Sequence, residues 1–211
     1  MAGRKEAGNF DTSTEEKIKI AARTVFQKKG YAATRTRDIA EEAGVNLGLL
    51  NYYFRRKEKL FEVIMFETLF NFFQNIITLF NNEDTDFEKK IELLAANYIN
   101  LLIKEPDIPL FILSEMRDRP EEMLEKLPIK YVLNNSVFVR QFHEKVKAGQ
   151  IKEPVLHHFL MNFLGMILFP FVAQPLMSAF FGGLTSAQFN QLMQKRKKLI
   201  PVWIKAMIYA G

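Results

Sequence analysis

Between Thr36 and Lys57 the chain collects side chains that suit a polyanion surface better than a reaction. In the run Leu47-Gly48-Leu49-Leu50-Asn51-Tyr52-Tyr53-Phe54, Gly48 admits a close backbone approach. Asn51 has the paired donor and acceptor that match an adenine edge, and it also suits a phosphate. The hydroxyls of Tyr52 and Tyr53 fit phosphate oxygens, and Leu47 and Leu49 fit a thymine methyl. Thr36 offers a hydroxyl and helix-end amides to a phosphate. Arg37 is placed for a base or a phosphate, and Lys57 for a phosphate clamp. Plainer readings stand beside these. Tyr52 and Tyr53 can pack the small domain, Arg55 and Lys57 can be solvated charges, and Arg37 can pair with Glu41 one turn on.

Reaction chemistry finds little support. There is no cysteine, so thiol nucleophiles, disulfides and cysteine zinc sites are excluded. The three histidines are His143, His157 and His158. The last two are adjacent and cannot share one helix face, and neither sits in a zinc motif of the HExxH type. No glycine-rich phosphate loop or nucleophile elbow is present. The expectation is no enzyme, no catalytic residue, no metal and no cofactor.

The elements that must hold these residues can be read from periodicity. Residues 1–12 read as a disordered tail. Ser13-x-x-Glu16 has the form of a capping box, and Ile18, Ala21, Ala22, Val25 and Phe26 repeat as one face of a helix stopped at Gly30. A second short helix covers about 36–43, with Ile39, Ala40 and Ala43 inward and Gly44 ending it. Val45-Asn46 turns the chain into a third, about 47–54, whose Leu50 and Phe54 lie four apart and face the core. Two short helices joined by a tight turn behind a packing helix make a helix-turn-helix. The second short helix is the one that enters a major groove.

Charge supports that division. Residues 1–60 carry 13 Lys and Arg against 8 Asp and Glu, and the rest of the chain carries 16 against 16. The whole net charge of +5 therefore lies in the first 60 residues, while 17 of the 20 phenylalanines lie beyond them. A basic module is the footprint of a polyanion partner.

At Ile20–Leu60 the chain resembles the TetR family of transcription regulators. The resemblance rests on Lys29-Gly30-Tyr31-x-x-Thr34, on Asp38-Ile39-Ala40-Glu41-Glu42-Ala43-Gly44-Val45, and on Asn46-x-Gly48-x-Leu50-x-x-Tyr53-Phe54 followed by Lys57-Glu58-x-Leu60. It implies an Ω-like homodimer that represses transcription by binding a palindromic double-stranded operator and is released by a small-molecule effector. Carried over by position, the DNA contacts are Thr36, Arg37, Leu47, Gly48, Leu49, Asn51, Tyr52, Tyr53 and Lys57. Asn51 departs from the family, which usually has tyrosine there, so its role between base and phosphate stays open.

Beyond residue 60 the reading is all-α, about nine helices in total: a helix-turn-helix domain at 13–60 and a ligand-binding and dimerisation domain at 61–211, linked by a helix at 57–80. Further helices are read at about 86–104 and 129–148, with Pro106, Pro109, Pro120 and Pro128 cutting the chain between them. The apolar run Phe159–Phe181 is long enough to raise a membrane span, but Asn162, Gln174, Pro170 and Pro175 argue for a buried interface helix and no membrane. The family implies a four-helix dimer bundle, here from about 155–169 and 187–207, with Pro170 kinking or ending the first and Pro201 interrupting the second. A small hydrophobic effector would be lined by Tyr98, Phe111, Met116, Phe138, Phe142 and Phe163, although ordinary core packing is the plainer reading of each. Lys195-Arg196-Lys197-Lys198 reads as a solvated face. No secretory leader is read at the N-terminus, and a cytoplasmic location is expected. The rival reading, a structural or membrane-surface helical protein, leaves the basic head unexplained.

Overall fold

The computed structural model describes residues 7–128, 130, 136–152 and 154–209, with backbone alone for 7–13. These residues form eleven α-helices and no strand. The count exceeds the expected nine because the proline-rich stretch makes two helices and the long apolar run breaks at Ala173. The chain divides into two compact units, Met1–Thr68 and Leu69–Gly211.

The first unit holds α1 (Ala7–Ala33), α2 (Thr36–Ala43), α3 (Leu47–Tyr53) and the start of α4 (Lys57–Asn81). α1 begins within the stretch expected as a tail, so Ser13 lies inside it and is not its N-cap. Gly30, at φ 75 and ψ 161, breaks the helical backbone near its end, as the sequence predicts. The core face is the periodic one: Ile18, Ala21, Ala22, Val25 and Phe26 pack with Ile39, Ala40, Leu50, Phe54, Leu60 and Ile64, all buried. Gly44 adopts the left-handed conformation that ends α2, at φ 65 and ψ 31.

The second unit continues α4 and adds α5 (Phe87–Lys104), α6 (Ile108–Asp118), α7 (Pro120–Lys126), α8 (Val137–Lys147), α9 (Leu156–Val172), α10 (Gln174–Phe180) and α11 (Ser186–Tyr209). The expected helix at 129–148 is seen as α8, and residues 129 and 131–135 lie outside the described residues. α5 packs along α11, with Lys205 to Glu92 at 2.9 Å and the Tyr209 hydroxyl donating to Glu88. Glu88 also meets Lys145 at 2.9 Å. These two partners outweigh its burial and hold its carboxyl below the usual range. An aromatic stack fills the interior. Phe138 lies 4.3 Å from Phe80 and 4.9 Å from Phe87, ring centre to ring centre, and Phe159 lies 5.7 Å from Phe163.

One buried and one half-buried cation were not legible from periodicity. Lys90 is completely buried; its Nζ donates to the Phe80 carbonyl at 3.1 Å and to Gln141 Oε1 at 3.0 Å. It satisfies a carbonyl in the last turn of α4, where positive charge is favoured, and burial pulls its pKa down. Arg196 answers a different vacancy. Pro170 lies inside α9 and has no N–H, so the Met166 carbonyl four residues back loses its helical donor. Arg196 Nη2 donates to that oxygen at 2.8 Å, and its guanidinium lies 5.0 Å from the Trp203 ring centre. The basic run 195–198 is thus not one solvated face. Lys195 and Lys198 are exposed, but Arg196 is turned inward and Lys197 binds Asn100.

Arg196→Met should therefore cost about 1–2 kcal/mol, the typical penalty of an unsatisfied part-buried carbonyl. In a Pro170→Ala background the new N–H restores the helical bond, and the same change should cost less than half as much. Urea titrations of the four proteins at one protein concentration give the coupling; additive losses would separate Arg196 from Pro170.

Pro201 does not interrupt α11 as expected. The helix runs through it, with Ile200, Pro201, Ile204 and Ile208 all buried, so packing on both sides outweighs one missing bond. Thr185 and Gln188 cap the helix reciprocally, at 2.9 Å and 3.3 Å. By length and composition, among the described residues, α4 alone could cross a membrane, and α9 with α10 only as a pair bent by 67°. The apolar positions of α4 recur at helical spacing and are buried (Leu60, Ile64, Met65, Leu69, Phe72, Ile76, Phe80), as in a core helix.

Candidate nucleic-acid interface

α3 is anchored on one side and open on the other. Leu50 is buried and Phe54 caps the helix from the core, its N–H bonded to the Leu50 carbonyl at 2.8 Å. Leu47, Gly48, Leu49, Asn51 and Tyr52 are exposed, and Tyr53 is half-buried. Tyr52 is the extreme, 74 % exposed, with its ring edge-on to Tyr53 at 5.3 Å. Asn46 opens the helix, its Oδ1 accepting from the Leu49 N–H at 2.8 Å. A Cβ on Gly48 would come within 3.2 Å of that oxygen, so glycine keeps both the cap and a bare backbone surface.

α2 presents the other contacts. Its first turn is set by Asp38, which accepts from the Arg35 N–H at 3.0 Å and pairs with Lys29 at 3.1 Å. Those two interactions, the backbone bond first, hold its carboxyl below the usual range. Thr36 is half-buried at the helix start and Arg37 is exposed. The alternative pairing of Arg37 with Glu41 is not formed; Arg37 makes no ion pair among the described residues.

The basic excess sorts itself by place. Lys19 is held by Glu16 and Glu67 at 2.8 and 2.7 Å, Lys29 by Asp38, and Lys59 by Glu62 at 3.4 Å. Arg35, Arg37, Arg55 and Arg56 are exposed, and no carboxylate lies within ion-pair distance of them among the described residues. Arg35 precedes α2, Arg37 lies in its first turn, and Arg55 and Arg56 follow α3; Asp38 and Glu58 act on Arg35 and Arg56 only from beyond ion-pair distance. Lys57 is the exception among the expected contacts. It is half-buried, and its Nζ donates to the carbonyls of Tyr31 and Thr34, each at 2.9 Å.

In the second unit the six residues expected to line an effector pocket do not form one group. Phe138, Phe142 and Phe163 are buried in the aromatic stack, and Phe111 is buried on α6. Tyr98 sets its ring against Phe72 at 4.4 Å and Phe163 at 6.5 Å, and burial pushes its phenol pKa up. Met116 is 55 % exposed on the outer face of α6 and cannot share an interior with the others. A cleft of about 310 Å³ opens elsewhere, lined by Asp86, Phe87, Gln141, Glu144, Lys145, Ala148 and Gln150. Sequence periodicity gave no sign of it, because its lining is mostly polar side chains from the start of α5 and the end of α8. No group of three potential metal ligands occurs among the described residues.

Residues 20–64 match the family of bacterial regulatory proteins called the tetR family. A probable HTH-type transcriptional regulator, YttP of Bacillus subtilis, is 22 % identical over 161 residues, 76 % of this chain and 78 % of that protein. The HTH-type transcriptional repressor KstR2 of Mycolicibacterium smegmatis is 31 % identical over 84 residues, 40 % of each chain. Among solved structures, the transcriptional regulator FadR from Bacillus subtilis in complex with stearoyl-CoA superposes with a TM-score of 0.59 at 20 % identity, over 92 % of this chain and 98 % of that one. Residues 20–64 thus carry the helix-turn-helix of the tetR family, and the chain as a whole shares its all-α fold with such a regulator.

Proposed function

We propose that the protein is a homodimeric repressor that binds a palindromic operator through α3 and the start of α2, and that a small apolar effector releases it. The observation that carries this reading is the exposed face of α3, Leu47 to Tyr53, flanked by four unpaired arginines. Thr36, Arg37, Leu47, Gly48, Leu49, Asn51, Tyr52 and Tyr53 make the contacts. Arginine and tyrosine fix the register on phosphates, and Asn51 reads a base edge. Residues 13–60 act as the DNA-binding domain and 61–211 as the ligand-binding and dimerisation domain. The relatives are regulators, and this chain works likewise without catalysis, in the cytoplasm where its operator is.

Dimerisation falls to α9 and α11. α9 exposes Met161, Asn162, Gly165 and Phe169 along one stripe, and α11 exposes Leu192, Leu199, Val202 and Trp203 along another. The two helices pack side by side, joined by Arg196 on Met166 and Asn162 on Met207. Two such pairs bury their stripes in a four-helix bundle. An effector acts only through unequal affinity for conformers that do and do not fit both half-sites. FadR's stearoyl-CoA makes an apolar chain the first effector class to try.

The test is fluorescence anisotropy with a palindromic duplex selected by the protein from a randomised pool. Binding should weaken steeply with salt, its log–log slope gaining about 0.9 for each phosphate neutralised. Tyr52→Ala should weaken binding about tenfold or more while leaving the fold intact, since the ring is exposed. Failure to select any sequence from the pool would sink the reading.

A further inference from the structure

We propose that Lys57 is a positioning residue: its ammonium locks the approach to α2 onto the first turn of α4, and it does not clamp a phosphate. The inference rests on the DNA-binding reading above. An ammonium has three hydrogens around a tetrahedral nitrogen. Here two donate to the Tyr31 and Thr34 carbonyls at 2.9 Å each, and the nitrogen sits 4.2 Å from the centre of the Tyr31 ring. Two oxygens, one aromatic face and the side-chain stem fill the four directions.

The carbonyls it holds are not arbitrary. They follow the break at Gly30, near the end of α1; the Tyr31 carbonyl also accepts from the Thr34 N–H at 3.3 Å, so the Lys57 ammonium is its second donor. Thr34 is buried, and its hydroxyl donates to the Gly30 carbonyl at 2.8 Å. The next residue, Arg35, is the N-cap of α2, and Thr36 and Arg37 follow at once. Fixing Tyr31 and Thr34 against α4 therefore fixes where Thr36 and Arg37 stand. The ring is fixed as well: Tyr31 lies 4.4 Å from Phe61, and its hydroxyl donates to Glu58 at 3.1 Å. Burial, then Glu58, pushes the Tyr31 phenol up to about 12. Lys57 and Glu58 open α4, so one helical turn holds Tyr31 by its carbonyl, its ring and its hydroxyl.

A clamp and a lock answer differently to salt and to arginine. The experiment titrates the selected duplex at several salt concentrations with the full-length parent, Lys57→Met and Lys57→Arg, with far-UV circular dichroism as a check on folding. For a lock, Lys57→Met binds about tenfold or more weaker, yet keeps the parent slope of log K against log salt, because no counterion release is lost. Lys57→Arg does not restore affinity, because a larger, planar guanidinium takes the place of a compact ammonium seated between two carbonyls and a ring. A slope reduced by about 0.9 in Lys57→Met, with affinity restored by Lys57→Arg, would mark a phosphate clamp and overturn the proposal. Parent-like affinity in Lys57→Met would overturn it too. Should Lys57→Met lose its helical signal, Lys57→Arg decides alone: weakened binding at the parent slope supports the lock, and parent affinity overturns it. A parent protein that selects no duplex overturns the DNA-binding reading itself, a failure seen before any variant is made.

Discussion

Phe159→Ala is expected to lose about 3–5 kcal/mol of stability, the range for a fully buried phenylalanine truncated in a tight core. Phe159 has no exposed surface, and its ring centre lies 5.7 Å from those of Phe138 and Phe163 and 6.3 Å from those of Phe87 and Phe142. Four rings from α5, α8 and α9 thus meet on one side chain. Alanine would leave a cavity that rigid aromatic neighbours cannot collapse to fill. Since a domain's whole stability is about 5–15 kcal/mol, this variant should be close to unfolding at growth temperature. Phe159→Leu, which keeps most of the volume, should lose less than half as much. Phe180→Ala is the control: that ring is 75 % exposed, and its loss should cost under about 0.5 kcal/mol. Guanidinium titrations at one protein concentration read all three. A loss under about 1 kcal/mol at Phe159 would mean the surroundings give way easily, as a ligand cavity does and a packed core does not. The experiment therefore also decides whether Phe138, Phe142 and Phe163 are core or pocket wall.

The second large effect is expected at Val202, where Val202→Glu should raise the dimer dissociation constant about a hundredfold or more. Val202 is 61 % exposed in the single chain, so glutamate there is solvated and the fold should survive. In the proposed bundle the same carboxylate would be buried without a partner, at a cost that typically reaches several kcal/mol. Trp203 reports the outcome directly. It is the chain's single tryptophan, 38 % exposed beside Arg196, and an apolar partner helix over it should shift its emission to the blue. On dilution the parent should keep that emission and sediment as a dimer, while Val202→Glu should show red-shifted emission and sediment as a monomer. Operator affinity should fall with it, since a monomer binds one half-site. A Val202→Glu protein that stays dimeric would move the interface off α11.

The periodic positions were the legible ones. Spacing alone assigns Ile18, Ala21, Ala22, Val25 and Phe26 on α1, Ile39 and Ala40 on α2, and Leu50 with Phe54 to the core, and all are buried; Ala43, given the same face by spacing, is only half-buried. Their opposite faces then have to be exposed, which is why spacing alone marks the outward residues of α3. Gly44 and Thr185-x-x-Gln188 were equally local: a left-handed turn and a reciprocal cap each need only the residues beside them. The TetR resemblance at 20–60 has the same origin, a short stretch in which every few residues answer to a neighbour.

Sequence by itself thus determined the all-α class, the basic head and the outward face of its third helix, because each follows from local periodicity or from charge summed along the chain. Tertiary structure alone decided which cations stay free. Lys57 reads as a phosphate clamp or a solvated charge, Arg196 as part of a solvated face, and Lys90 stands in no pattern, yet each is drawn to backbone carbonyls: at the end of α1, opposite the missing N–H of Pro170, and in the last turn of α4. A carbonyl without a donor has no letter in the sequence. It exists only once a helix has ended or a proline has removed its partner, and only then can a lysine or arginine from 10 or more residues away be seen to answer it. The same holds for Met116, whose apolar side chain fits a pocket by composition and faces outward by geometry.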